Sequence, residues 1–100
     1  MSIKIKIKMN INKFDVFIDE DSNICIINNK NCVLKSDDID NIIRIIRNWD
    51  YDYSNNKIIG EVHYMIKIVY DNHEYRYKFD NAFPDNFLEL VNYIGGIYER

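Results

Sequence analysis

The sequence predicts an α+β domain: a mostly antiparallel twisted sheet of about five to six strands, in the order ββββαββα, with two amphipathic helices packed on one face. Three observations carry this. Ile3, Ile5, Ile7, Met9 and Ile11 alternate with Lys4, Lys6, Lys8 and Asn10, and a period of two belongs to a strand with one dry and one wet face. Phe14, Val16 and Ile18 repeat that period, and a sheet wetted on one side is antiparallel far more often than parallel. The pattern then turns helical at Ile39, Ile42, Ile43, Ile46 and Trp49, and again at Phe87, Val91, Ile94 and Tyr98.

Each element has its own justification. Strands over about 2–11 and 13–19 joined at Asn12-Lys13 would set Ile11 opposite Phe14, Met9 opposite Val16 and Ile7 opposite Ile18, with Lys6 facing Asp19 on the wet side. A slip of one residue would turn the lysines into the core. A short pair near 23–28 and 31–35 follows, with a turn at Asn28-Asn29. Ser36, Asp37 and Asp38 can accept from free N–H groups and so open a helix over about 37–49. A long strand at 58–70 and another at 73–80 form a second hairpin. A turn at Asp71-Asn72 aligns Ile68 with Tyr75, Ile66 with Tyr77 and Tyr64 with Phe79, and sets Lys67 against Arg76; a four-residue turn would set Lys67 against Lys78 instead. Pro84 suits the start of a last helix over about 84–98, which Gly95-Gly96 is expected to fray or end early.

With 100 residues, 47% of them hydrophobic, and only three glycines and one proline, residues 1–100 are expected to form a single domain rather than a disordered chain. No run approaches the roughly 20 apolar residues that span a bilayer, and the alternating N-terminus lacks the apolar centre of a secretory signal. The expected setting is cytoplasmic, with thiols reduced and no membrane contact. A net charge of −3 gives no general pull on phosphate backbones, so direct nucleic-acid binding is not expected. It slightly favours a basic partner, such as the nucleic-acid groove of another protein. Ile and Asn, both with AT-rich codons, are abundant, as they would be in a phage, a mobile element or a low-GC bacterium.

Few groupings suggest chemistry. The Asn28-Asn29 turn sets Cys25 opposite Cys32, about 5.5 Å apart at Cα, a span a disulfide can bridge, although the compartment favours two reduced thiols. His63 and His73 would complete a four-ligand set, but the spacing matches no tight zinc pair, so neither metal nor cofactor is expected. Glu61 and His63 share a strand face, with Glu74 expected nearby across the hairpin; such a ladder is ordinary wet-face decoration. The chain has no phosphate-cradling loop and no serine elbow, so no catalytic residue is assigned and an enzyme is not expected.

Two surfaces remain. Asp50, Tyr51, Asp52 and Tyr53 interleave acid with tyrosine, a side chain giving wide contact at low entropic cost; alternatively they form a plain connector covering the helix end beside Trp49. Lys4, Lys6 and Lys8 form a row spaced by about 6.8 Å, which Arg76 and Lys78 would extend were their strands neighbours. With Phe17 this face could hold single-stranded nucleic acid. Against that, Tyr64, Tyr75, Tyr77 and Phe79 lie on the buried parity, and a lysine row is the usual guard on a sheet edge. The expectation is a small non-catalytic interaction protein that binds and blocks or modulates a macromolecular partner, such as a phage or mobile-element inhibitor of a host defence nuclease. An immunity protein or antitoxin, or a nucleic-acid-binding domain using the basic face, are the alternatives. A strand such as 58–70 could also pair with a second copy to give a homodimer.

Overall fold

A computed structural model describes residues 4–55, 57 and 62–100. Its strands are β1 (Ile5–Ile11), β2 (Phe14–Asp19), β3 (Ile24–Ile27), β4 (Lys30–Asn31), β5 (Asp52–Ser54), β6 (His63–Tyr70) and β7 (His73–Asp80); the helices are α1 (Asp38–Ile46), between β4 and β5, and α2 (Phe87–Tyr98). The seven strands form one mixed sheet, ordered β4-β3-β2-β1-β6-β7-β5.

Both hairpin registers follow side-chain parity. Ile11, Met9 and Ile7 face Phe14, Val16 and Ile18, and Lys6 faces Asp19. Ile68, Ile66 and Tyr64 face Tyr75, Tyr77 and Phe79, which selects the two-residue turn. Asp71 and Asn72 both take positive φ there, as do Asn28 and Asn29, the conformation a tight hairpin turn needs. All described non-glycine residues with positive φ are Asn or Asp, the side chains that tolerate this region best. The asparagines therefore serve as turn formers. Asn28 does more: its side chain accepts from the Asp15 N–H at 2.8 Å and donates to the Lys13 carbonyl at 3.1 Å.

Several expectations are corrected. Among the described residues the sheet has seven strands, one more than the six of the expected order. The additional strand is β5, which pairs parallel to β7, Tyr53 opposite Phe79; it makes the sheet mixed and the order ββββαβββα. The expected strand at 31–35 shrinks to Lys30–Asn31. Of the expected strand 58–70, residues 58–61 lie outside the described residues, and β6 is paired on both sides, with β1 and β7. Residues 65–70 are thus flanked by a strand on either side and present no free edge to a second copy. The sheet ends in β4 and β5, two and three residues long, and short edges pair poorly with other chains. β1 also lies inside the sheet, so its lysines guard no edge. The second helix runs through Gly95 and Gly96 to Tyr98; Gly95 sits where a Cβ would touch the Phe14 ring at 3.5 Å.

Both helices supply the core on the isoleucine face of the sheet. Ile7, Met9, Ile11, Val16, Ile18, Ile27, Ile66 and Phe79 are buried beneath Ile42, Ile46, Leu90, Val91 and Ile94, while Lys4, Lys6 and Lys8 are exposed. At about 25 cal/mol per Å² of apolar surface removed from water, this burial is the main favourable term in folding.

One polar group is buried among the described residues. Asp38, in the first turn of α1, has no exposed surface and accepts from the Lys35 N–H at 2.6 Å, the Tyr93 hydroxyl at 2.7 Å and both terminal nitrogens of the Arg100 guanidinium. Burial pushes its carboxyl up, but the hydrogen bonds from Arg100, Lys35 and Tyr93 outweigh this and hold it at about 2. This network ties the start of α1 to the segment after α2. Of the expected opening residues Ser36, Asp37 and Asp38, Asp37 stands at the N-cap without a side-chain cap hydrogen bond, whereas Asp38 accepts from the Lys35 N–H.

Candidate functional site

The helices leave part of the core face uncovered. At the end of the sheet where β1 begins and β6 turns into β7, the side chains on core parity are Ile5, Ile68, Tyr70, Tyr75 and Tyr77, and they floor a cleft of about 660 Å³. Tyr70 and Tyr75 are 41% and 37% exposed on the face that the hydrophobic pattern assigns to the core. The expectation that Tyr75 is buried is thus corrected: its parity is right, but no helix reaches over it.

One flank of α1 forms the long wall. Asp40, Ile43, Arg44 and Arg47 recur at i, i+3, i+4 and i+7 and so share a helix face, and all four line the cleft. The buried stripe is Ile39, Ile42, Ile45 and Ile46; Ile43 is only half-buried. Glu20 closes the β2 end, its Oε1 accepting from the Ile5 N–H at 3.0 Å. Tyr51 closes the other, its ring 5.0 Å from that of Tyr77 at 38°. The Tyr77 hydroxyl is pushed above its usual range, first by burial and then by Tyr51 and Tyr75, so it stays a neutral donor and acceptor. Among the described residues, the lining holds no histidine, cysteine or serine. Its chemistry is contact area, hydrogen bonding and charge.

The segment Asp50–Tyr53 is divided between surfaces. Tyr51 is 55% exposed and stands in the cleft wall. Tyr53 stacks on Phe79 at 5.6 Å, and its hydroxyl accepts from the Asp50 N–H, so it covers the core as a connector would. Asp52 faces Lys78 in the β5–β7 register, on the opposite side of the strand from Tyr53.

On the open face, Arg76 and Lys78 do not adjoin the β1 lysines, because β6 intervenes. Lys67 fills the gap: Lys8 faces Lys67, which faces Arg76. Glu74 offsets this crowding, with Arg76 Nε at 2.6 Å and Lys67 Nζ at 3.7 Å. Lys78 pairs with Asp80 at 3.3 Å. Phe17, 40% exposed, lies beside Lys8.

His63 meets Asp80, Nδ1 to Oδ1 2.6 Å, and that hydrogen bond lowers the Asp80 carboxyl below its usual range. The expected neighbour Glu74 sits at the far end of the hairpin, opposite Val69; Glu61 lies outside the described residues. Cys25 and Cys32 are adjacent across the β3–β4 ladder, with the Cys32 N–H donating to the Cys25 carbonyl at 2.8 Å, and both are free thiols. Burial, then Cys32, pushes the Cys25 thiol up to about 11. Among the described residues no three His, Cys, Asp or Glu side chains are grouped to hold a metal, and no helix is long and apolar enough to cross a membrane.

No protein family, curated protein or solved structure matches this chain.

Proposed function

We propose that this chain is a small non-catalytic interaction protein that docks another protein in the tyrosine cleft and thereby blocks or modulates it. The supporting observation is the cleft's composition: four tyrosines and two arginines around about 660 Å³. Tyr and Arg are the side chains that most often dominate binding energy at protein interfaces. An inhibitor of a defence nuclease, an immunity protein and an antitoxin all belong to this physical type. The test is affinity capture of the partner from the native host with wild-type and Tyr51→Ala bait. The exposed Tyr51 ring can be removed without opening the core, so the variant should keep its melting temperature and lose at least about tenfold in affinity. Undiminished capture would sink the reading.

A second reading rests on the Lys8–Lys67–Arg76 row beside Phe17, which could track a single strand of nucleic acid. Oligonucleotide affinity should then fall steeply with salt, and Lys8→Ser should flatten the slope. No binding at low salt removes it.

A further inference from the structure

We infer that the cleft takes a peptide segment in one charge orientation, with an apolar or aromatic side chain on the tyrosine floor, a carboxylate at Arg44 and Arg47, and a cation at Asp40 and Glu20. This rests on the proposed function and adds the chemistry and polarity of the occupant.

The polarity comes from how α1 crosses the sheet. Its first turn is held by Asp38 to Arg100, whose guanidinium also donates to the Val33 carbonyl just after β4. Past its last turn, Trp49 meets Phe79 of β7 edge-on at 5.8 Å. The helix therefore travels from the β4 side toward the β7 side. Asp40 comes early on that path, near Glu20 at the end of β2. Arg44 and Arg47 come later, toward Tyr51 and Tyr77. Asp40 and Arg47 are two helical turns apart, about 10 Å, with Ile43 between them. The cleft is acidic at one end, basic at the other and apolar in the middle.

The basic end is unfilled. Among the described residues neither Arg44 nor Arg47 has a carboxylate within ion-pair distance. A guanidinium accepts a carboxylate in a two-pronged hydrogen bond, which gives direction as well as attraction. A nucleotide chain would also suit tyrosines and arginines, but its phosphates would run past Asp40 and Glu20 and be repelled there. A peptide carries both signs of charge, and only a peptide matches both ends.

Heteronuclear NMR titrations test this with small probes: N-acetylphenylalanine, its uncharged amide, the dipeptide Lys-Phe and adenosine monophosphate. N-acetylphenylalanine should shift the amide signals of Arg44, Arg47, Tyr51, Tyr75 and Tyr77 with millimolar affinity. Its amide should bind about fivefold more weakly, the size of one exposed charge pair. Arg44→Gln with Arg47→Gln should erase that difference, and Asp40→Asn should weaken Lys-Phe but not N-acetylphenylalanine. Equal binding of acid and amide overturns the inference, as does an absence of shifts in the cleft up to the solubility limit. Tighter binding of adenosine monophosphate than of either phenylalanine probe assigns the cleft to nucleotides and overturns it too. These outcomes concern the occupant's chemistry alone; the proposed function fails separately, when Tyr51→Ala leaves partner capture unchanged.

Discussion

The two ends of the helix-side face are built from the same strands and the same alternation, yet one is sealed and the other open. At the sealed end Ile11, Phe14, Tyr64 and Phe79 lie under α2, with Phe87 stacked against Tyr64 at 6.0 Å and Tyr98 beside Phe14 at 5.9 Å. At the open end Ile5, Tyr70 and Tyr75 have the same parity but less cover: Ile5 is half-buried, and Tyr70 and Tyr75 remain 41% and 37% exposed. The side chains differ accordingly. The sealed end is largely phenylalanine and isoleucine; the open end substitutes tyrosine, whose hydroxyl tolerates water while its ring still offers apolar area. A strand pattern thus reports which face points toward the helices, and the helices decide how much of that face is core.

The largest expected contrast between these ends is in stability. Phe79 has no exposed surface and touches the rings of Trp49, Tyr53, Phe83 and Phe87. Phe79→Ala should cost about 3–5 kcal/mol through lost transfer energy and the cavity left behind. Tyr75→Ala, on the same strand and face, should cost less than about 1 kcal/mol, because water already reaches the ring. Chemical denaturation of the two variants checks this. Comparable losses would mean that the open end is packed in solution and that no cleft exists there.

A second contrast concerns two carboxylates in the first turn of α1. Asp38 is buried and held at about 2, against an ordinary value of 3.8, whereas Asp40 faces the open cleft. A carboxyl depressed on folding contributes stability that is present above its unfolded value and lost as pH falls through the folded one. Asp38 should therefore contribute about 2 kcal/mol above pH ~4, lost progressively toward pH ~2. Asp38→Asn should remove that part of the acid dependence, and Asp40→Asn should leave it in place. Denaturation midpoints measured between neutral and acid pH decide the matter. An unchanged acid profile in Asp38→Asn would show that the Arg100 pair does not persist in solution.

How much of this is legible in the sequence differs by region for physical reasons. The two long hairpins are local: parity sets their faces, and Asn12 and Asp71-Asn72 set their turns, so the register Ile11–Phe14 or Ile68–Tyr75 follows from the order of residues alone. β5 is not local. Its three residues pair in parallel with a strand that begins some twenty residues later, and a single tyrosine between Asp52 and Ser54 gives no period to detect. The role of Asp38 is hidden for the same reason, since its partner Arg100 is 62 residues away. The cleft lies between these cases. The stripe Asp40, Ile43, Arg44 and Arg47 is visible at helical spacing, but it reads as a solvated flank until the reach of α1 over β6 and β7 is known. Tyrosines at the ends of core-parity strands, Tyr70 and Tyr75, are the signal that could have pointed there.

The smallest expected effect tests how tightly the sealed end is packed. Gly95 and Gly96 lie within α2, where glycine costs up to about 1 kcal/mol relative to alanine because it has more backbone freedom to lose on folding. A Cβ on Gly96 meets nothing within 4 Å, so Gly96→Ala should stabilise the protein by about 0.5–1 kcal/mol. On Gly95 the new methyl would stand 3.5 Å and 3.8 Å from atoms of the Phe14 ring, an ordinary contact that adds a little dispersion without displacing the ring. Gly95→Ala should then gain about as much as Gly96→Ala, read as a rise in denaturation midpoint. A loss at Gly95 beside a gain at Gly96 would mean that α2 and the β1–β2 turn are closer in solution than this geometry allows, with Phe14 having no room to yield. A loss at both would locate the cost in the helix itself, and α2 would then end before Gly95 as the glycine pair alone suggests.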